Sequence, residues 1–178
     1  MRKALLALLI FAVTSSITAP LQAQKVTIDI PGLADKAREV VDITLDAQML
    51  RLASKFLSSS DEDERAVRGI VSKLEGIYVR SYEFDKEGEY DHTVIDKVRA
   101  QLGPSWKKIV NVRSKSKKDA EIYLDMRGGD QPLGLLVISA EPRQLTIVNI
   151  VGPIDLDQLS HLEGEFGIPK MSKRGDHE

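Results

Sequence analysis

The sequence predicts an α+β fold: a mostly antiparallel sheet of about five to six strands, with about four helices packed mainly on one face. Three observations carry this expectation. Helical apolar periods crowd the first half of the chain, at residues 47–57, 61–74 and 91–102. Four strand-like runs then follow one another between Trp106 and Val151. Connections of about five residues between those runs suit antiparallel neighbours.

Each element has a local reason. Val41, Ile43 and Leu45 alternate with Asp42 and Thr44, the pattern of a half-buried strand. From Ala47 to Leu57 the spacing turns helical, with Met49, Leu52, Ala53 and Phe56 on one face and Leu50 and Leu57 widening it. Ser58, Ser59 and Ser60 form a polar joint. Asp61, with Glu64 three residues on, is a capping-box pattern that starts a second helix. Val67, Ile70, Val71 and Leu74 make its buried stripe, and Gly76 is expected as a left-handed stop. Ile77 to Phe84 is β-branched and aromatic and reads as a strand. Asp91 to Leu102 places Val94, Ile95, Val98 and Leu102 at helical spacing before Gly103 and Pro104.

The late strands read as a meander. Trp106 to Ser114 comes first. Ala120 to Arg127 follows, with Ala120, Ile122, Leu124 and Met126 opposite Glu121, Tyr123, Asp125 and Arg127. Leu133 to Ser139 is continuously apolar and is expected at the centre of the sheet, covered on both faces. Leu145 to Val151 is the last. A final helix is expected from Asp155, capped by Gln158, with Leu156, Leu159, Leu162 and Phe166 on its face and Gly167 and Pro169 ending it.

Residues 1–23 have the three-part layout of a secretory signal: Arg2 and Lys3, an apolar run from Ala4 to Val13, and a stretch of small residues ending at Ala23. The run is too short for a permanent membrane helix, so cleavage near Ala23 and a periplasmic or extracellular protein are expected. Removal of this segment takes away two cations and no acid, and moves the formal net charge from −2 to −4. That balance gives no support to a nucleic-acid partner. The remaining organisation is a linker at 24–36, in which Val26, Ile28 and Ile30 could pair as an edge strand, a single domain at 37–168 and a disordered tail at 169–178. The chain has no cysteine, which excludes thiol catalysis, thiolate zinc sites and a lipid anchor on cysteine.

Little catalytic chemistry is legible. His92, His161 and His177 share no helix face, so no metal or other cofactor is expected. A G-x-S-x-G elbow is missing. Arg127-Gly128-Gly129-Asp130 lies between strands and reads as a turn, not as a phosphate loop. The acidic run Asp61 to Glu64 is explained by helix-start electrostatics, and Arg174-Gly175-Asp176 is assigned no role.

Two surfaces remain as binding candidates. Lys107, Lys108, Arg113, Lys115, Lys117 and Lys118 form a basic cluster that could dock an anionic surface or an acidic envelope partner. Read more plainly, it is a solvated hairpin whose lysines block edge-to-edge pairing, and this reading is favoured. The other candidate is an exposed sheet face bearing Tyr78, Arg80, Tyr82, Tyr123 and Arg127.

Several segments together resemble the family called domain of unknown function 4252: VVDITLDAQMLRLASKFL, LEGIYVRSYEF, Trp106 with KKIVNVRSKSKKDAEIYL, and LTIVNIVGPIDLDQLSHL. The most specific parts are Leu74 to Tyr82 and Ile147 to Asp155, and the resemblance covers roughly residues 35–168. It implies an exported bacterial protein. Many members are lipoproteins, which this cysteine-free chain departs from. No activity or catalytic residue is implied by it. The expected function is a noncatalytic binding or interaction module of the cell envelope. The alternative is a hydrolase-like enzyme assembled from distant residues such as Arg80, Glu83, Asp125 and Asp130.

Overall fold

A computed structural model describes residues 25–57, 60–116 and 118–155. Residues 1–24 with the expected signal, Ser58, Ser59, Lys117, the helix expected from Asp155, His161, His177 and the tail lie outside the described residues, apart from Asp155 itself.

Six strands form one antiparallel sheet. They are β1 (Glu39–Asp46), β2 (Gly76–Glu83), β3 (Trp106–Val112), β4 (Asp119–Asp125), β5 (Gly134–Glu141) and β6 (Gln144–Val151). Their order across the sheet is β1-β2-β6-β5-β4-β3. The last four strands are sequential neighbours, as the meander pattern predicted, and β5 is internal. The early pair closes onto the meander through β2 and β6, in register from Gly76 opposite Val151 to Glu83 opposite Gln144. Edge strand β3 carries a register shift between Lys108 and Val110, an irregularity that discourages pairing with a further strand.

Three helices stand among the described residues, against about four expected: α1 (Ala47–Ser54), α2 (Glu62–Val71) and α3 (Thr93–Arg99). The Asp61 cap is present, its Oδ1 accepting from the Glu64 amide at 3.0 Å. Asp46 caps α1 in the same way through the Met49 amide at 2.8 Å. Gly76 is not a left-handed stop. It opens β2, where a Cβ would meet the Tyr78 ring at 2.7 Å, so its bare backbone makes room for an aromatic.

Two of the three described helices, α1 and α2, pack on one face of the sheet, and α3 packs on the other. Alternation sends opposite sides of each strand to opposite cores. One side is aromatic: Tyr82, Phe84, Trp106 and Tyr123 join Leu136, Ile138, Leu145 and Ile147 under Ile95 and Val98 of α3. The other side is aliphatic: Leu124 and Leu135 join Leu50 of α1, Leu74 and Ile154, with Ile70 and Val71 of α2 against them.

Residues 25–33, expected as part of a linker, belong to the aromatic core. Val26, Ile28 and Ile30 are buried, while Lys25, Thr27 and Asp29 between them are exposed. The segment pairs with no strand, so side chains supply its backbone partners. The Val26 amide donates to Asn149 Oδ1 at 2.9 Å. Gln101 brackets Thr27, accepting from its amide at 2.9 Å and donating to its carbonyl at 3.0 Å. The Ile30 amide reaches the Tyr82 hydroxyl at 3.3 Å. This strap and α3 together roof the aromatic face.

Candidate functional site

A cleft of about 260 Å³ lies where α3 crosses the β3 and β4 end of the aromatic face. His92, Ile95 and Arg99 form one wall; Glu121, Ile138 and Ala140 form the floor; Asn111, Val112, Arg113 and Asp119 form the rim. Periodicity places the wall. Ile95 and Val98 turn into the core, and Arg99, one residue further round, reaches across the sheet.

Glu121 organises the floor. It is 5% exposed and occupies an inward position of β4. Both carboxylate oxygens are filled. Arg99 donates to Oε2 from Nε at 2.9 Å and to Oε1 from Nη2 at 3.0 Å. Lys108 Nζ adds a bond to Oε1 at 3.0 Å, and the Tyr123 hydroxyl adds one to Oε2 at 2.7 Å. Burial alone would push the carboxyl pKa up. The bonds from Arg99, Tyr123 and Lys108 outweigh it and hold the value down at about 2. The Tyr123 hydroxyl is pushed up, first by burial and then by its bond to Glu121. The Lys108 ammonium is raised by its Tyr123 and Glu121 contacts. Arg99 also pairs with Asp96 on its own helix.

This arrangement is poor chemistry for proton transfer. A general acid or base works best with a pKa near the operating pH. Glu121 is displaced the other way, and its lone pairs are occupied. Asp125, fully buried at the far end of β4, is likewise tied up: burial raises its pKa, but the Arg127 guanidinium and Ser105 bring it below the ordinary value. Arg80 and Asp125 do not meet. Register places Arg80 in the same cross-strand row as Glu121, and Asp125 stands four residues further along β4. Arg80 instead pairs with Asp42 at 3.0 Å and Asp29 at 3.3 Å, and Glu83 pairs with Arg38. Asp130 is exposed. Among the described residues no group of three His, Asp or Glu side chains could hold a metal ion.

The two expected surfaces look different in three dimensions. Tyr82 and Tyr123 are buried in the aromatic core, and Tyr78 packs against it with the Lys25 ammonium 3.9 Å from its ring centre. Arg80 is mostly covered, and Arg127 sits in a short 3-10 turn beyond β4. The face expected to be open is therefore roofed by the strap and α3. The alternation of β4 was read with the wrong side inward: Glu121, Tyr123 and Asp125 form its most enclosed side. The basic cluster also divides. Lys108 turns to Glu121, and Arg113 lines the cleft. Lys107, opposite Leu124, belongs to the aliphatic face. Lys118 reaches Glu141 at 3.4 Å, and Lys115 is exposed.

Arg99, Asn111 and His92 were missed by sequence reasoning. Arg99 follows Val98 on the buried side of a helix, and Glu121 precedes Tyr123 on a strand. Only the register between the two elements shows that the charges are partners.

The fold and site thus define an antiparallel α+β domain with a small polar cleft and no assembled catalytic set among the described residues. The sequence profile of the family described as Domain of unknown function (DUF4252) matches residues 35–162, and the chain belongs to that family. No curated protein and no solved structure matches the chain.

Proposed function

We propose that this chain is an exported, noncatalytic binding module of the bacterial cell envelope, and that its ligand-binding site is the cleft between α3 and the β3–β4 end of the sheet. The observation that carries this reading is the saturated floor. The enclosed acid of the cleft is matched by three donor side chains and held far below the range useful for catalysis. Such a network fixes shape and offers no reactive group. Recognition then falls to the rim, where Arg113, Asn111 and His92 are exposed polar groups beside the apolar Ile95 and Val112. Arg113 suits a carboxylate or phosphate, because its planar fork can donate two parallel bonds.

Export is supported by the positive, apolar and small-residue layout of residues 1–23. No helix among the described residues is long and apolar enough to cross a membrane.

The test has two arms. Cell fractionation with N-terminal sequencing should find the chain outside the cytoplasm, starting near Gln24; an intact cytosolic chain would refute export. Amide chemical shifts recorded against small carboxylates and phosphates should move at Asn111, Arg113 and α3, and Arg113→Ala should weaken the response about tenfold, the effect of losing a charge-assisted pair. Shifts that ignore the cleft would refute the binding site.

A further inference from the structure

The two edges of the sheet are built differently. An edge strand presents unpaired N–H and C=O groups, and proteins blunt such edges with lysines, prolines or bulges. Edge strand β3 has these devices: Lys107, Lys108 and the register shift between Lys108 and Val110. The other edge, β1, has none. Glu39–Asp46 contains no proline, lysine or arginine, and it pairs with β2 through every residue without a shift. Among the described residues no strand lies on its outer side. Its apolar side chains are also open: Val40, Val41 and Ile43 are each exposed, Ile43 at 41%. Helix α1 begins where β1 ends, packs Leu50 into the aliphatic core, and leaves Met49 and Leu52 about half exposed. A long, regular, apolar edge of this kind is a template for a further strand.

We infer that the further strand is β1 of a second copy of this chain, paired antiparallel about a two-fold axis at Ile43. A two-fold axis between antiparallel copies of one strand makes the residue on the axis face itself. That leaves few registers to weigh, and like charges directly opposite destabilise a pair. An axis at Asp42 sets two copies of that acid face to face. An axis at Thr44 sets Asp42 against Asp46. Axes at Val41 or Leu45 shorten the overlap at one end of the strand. The axis at Ile43 pairs residues 40–46 with 46–40 and brings no two acids opposite. On the aliphatic side Val41 meets Leu45, Ile43 meets Ile43 and Leu45 meets Val41, an unbroken apolar strip. On the other side Asp42 meets Thr44. The charges fit as well. Asp42 is already matched by Arg80 at 3.0 Å, and Asp46 accepts from the Met49 amide at 2.8 Å. Glu39 falls opposite Ala47, at the positive start of the other copy's α1. Because only β1 is undefended, the contact closes at two copies and leaves both clefts open at the far β3 and β4 ends.

The absence of cysteine makes the test direct. Under mild oxidation the full chain carrying Ile43→Cys should form a covalent dimer about tenfold faster than Val112→Cys, a position of like exposure on the opposite edge. Val41→Cys should link slowly alone and fast when mixed with a Leu45→Cys chain, which fixes the register. Sedimentation of the parent chain should give a mass that rises from one chain to two with concentration. Ile43→Lys, which sets two ammonium groups opposite each other, should weaken association about tenfold or more, with an unchanged unfolding midpoint for the monomer. A chain that stays monomeric, with equal rates for Ile43→Cys and Val112→Cys, would overturn the inference and leave the edge to a strand of another protein. Faster linkage of Ile43→Cys to Val112→Cys than to itself would overturn the closed dimer in favour of an open string of copies. Val41→Cys linking to itself as fast as Ile43→Cys would overturn the axis.

Discussion

The two faces of the sheet solve the burial problem in opposite ways. On the aromatic face, polar groups are carried inside and most are matched: Asn149 holds the Val26 amide, and Glu121 holds Arg99, Lys108 and Tyr123, while the buried Arg80 Nε has no partner. The aliphatic face carries branched hydrocarbon, and its described cover thins from the buried Leu124 and Leu135 to the partly buried Ile122 and Val137 and the exposed Ile43. Buried polar groups need complete enclosure and fixed geometry, because an unmatched donor or acceptor costs more than a matched one gains. Hydrocarbon has no such requirement and tolerates a partial or exchangeable roof. Rigidity and a defined cleft therefore belong to one side, and an open apolar surface to the other.

Adjacent residues of β5 break this contrast most sharply if it is wrong. Leu136 points into the aromatic core and is fully buried, whereas Val137 points to the aliphatic face and is only partly buried. Leu136→Ala should cost about 3 kcal/mol in denaturant unfolding, the sum of lost transfer energy and a cavity. Val137→Ala should cost about 1 kcal/mol. Equal losses would mean that the two faces are equally well packed.

Much of the architecture was legible because period and capping are local. The Asp61 cap, the meander and the central β5 follow from residues within a few positions of one another. What failed depended on distant partners. Tyr123 is expected on an open face because alternation identifies two sides of β4 without saying which is buried, and the polar residues that share its side, Glu121 among them, bias the choice. Here Arg99, 22 positions away, supplies the countercharge that permits the reverse. The strap was read as a linker because an extended segment bonded to Asn149 and Gln101 leaves no strand partner to find. Of the cleft residues only Arg113 stands among the binding candidates legible in the sequence, in a cluster that the fold divides.

Removing the countercharge should be the next largest effect. Glu121→Ala leaves Arg99 and Lys108 without their shared acceptor, and a loss of about 2 kcal/mol is expected. Complete burial would make it larger, but both cations are about one-third exposed. The pH dependence has a definite sign. The folded-state pKa of Glu121, about 2, lies below its ordinary value of 4.5. Its contribution is therefore complete above pH 4.5 and is lost as pH falls toward 2. Unfolding midpoints of Glu121→Gln should vary less across that window than those of the parent chain. Asp125, also held low, would keep some dependence in both. Identical profiles would show that Glu121 is not the buried anion described.

Asn149 tests the strap. Its side chain accepts from Val26 and donates to the Leu135 carbonyl at 3.3 Å, and it is fully buried. Asn149→Ala strands a buried amide and should cost about 1.5 kcal/mol. Hydrogen exchange should rise at Val26 and Ile28 ahead of the rest of the sheet. Uniform loosening would mean that the strap is part of the sheet's own cooperative unit.

The smallest effect separates the strap from the domain it covers. Gln101 brackets Thr27 at the solvent-exposed end of the same segment, where water can replace both bonds. Gln101→Ala should therefore cost only about 0.5 kcal/mol globally, since an exposed hydrogen bond exchanges with solvent at little net loss. Locally it should matter more: the Thr27 amide should exchange faster while Val26, still held by Asn149, keeps its protection. Fast exchange at both would make Gln101 the anchor and Asn149 secondary, reversing the order in which the aromatic face opens. Protection retained at both would mean that the apolar contacts of Val26, Ile28 and Ile30 hold the strap without help from its hydrogen bonds.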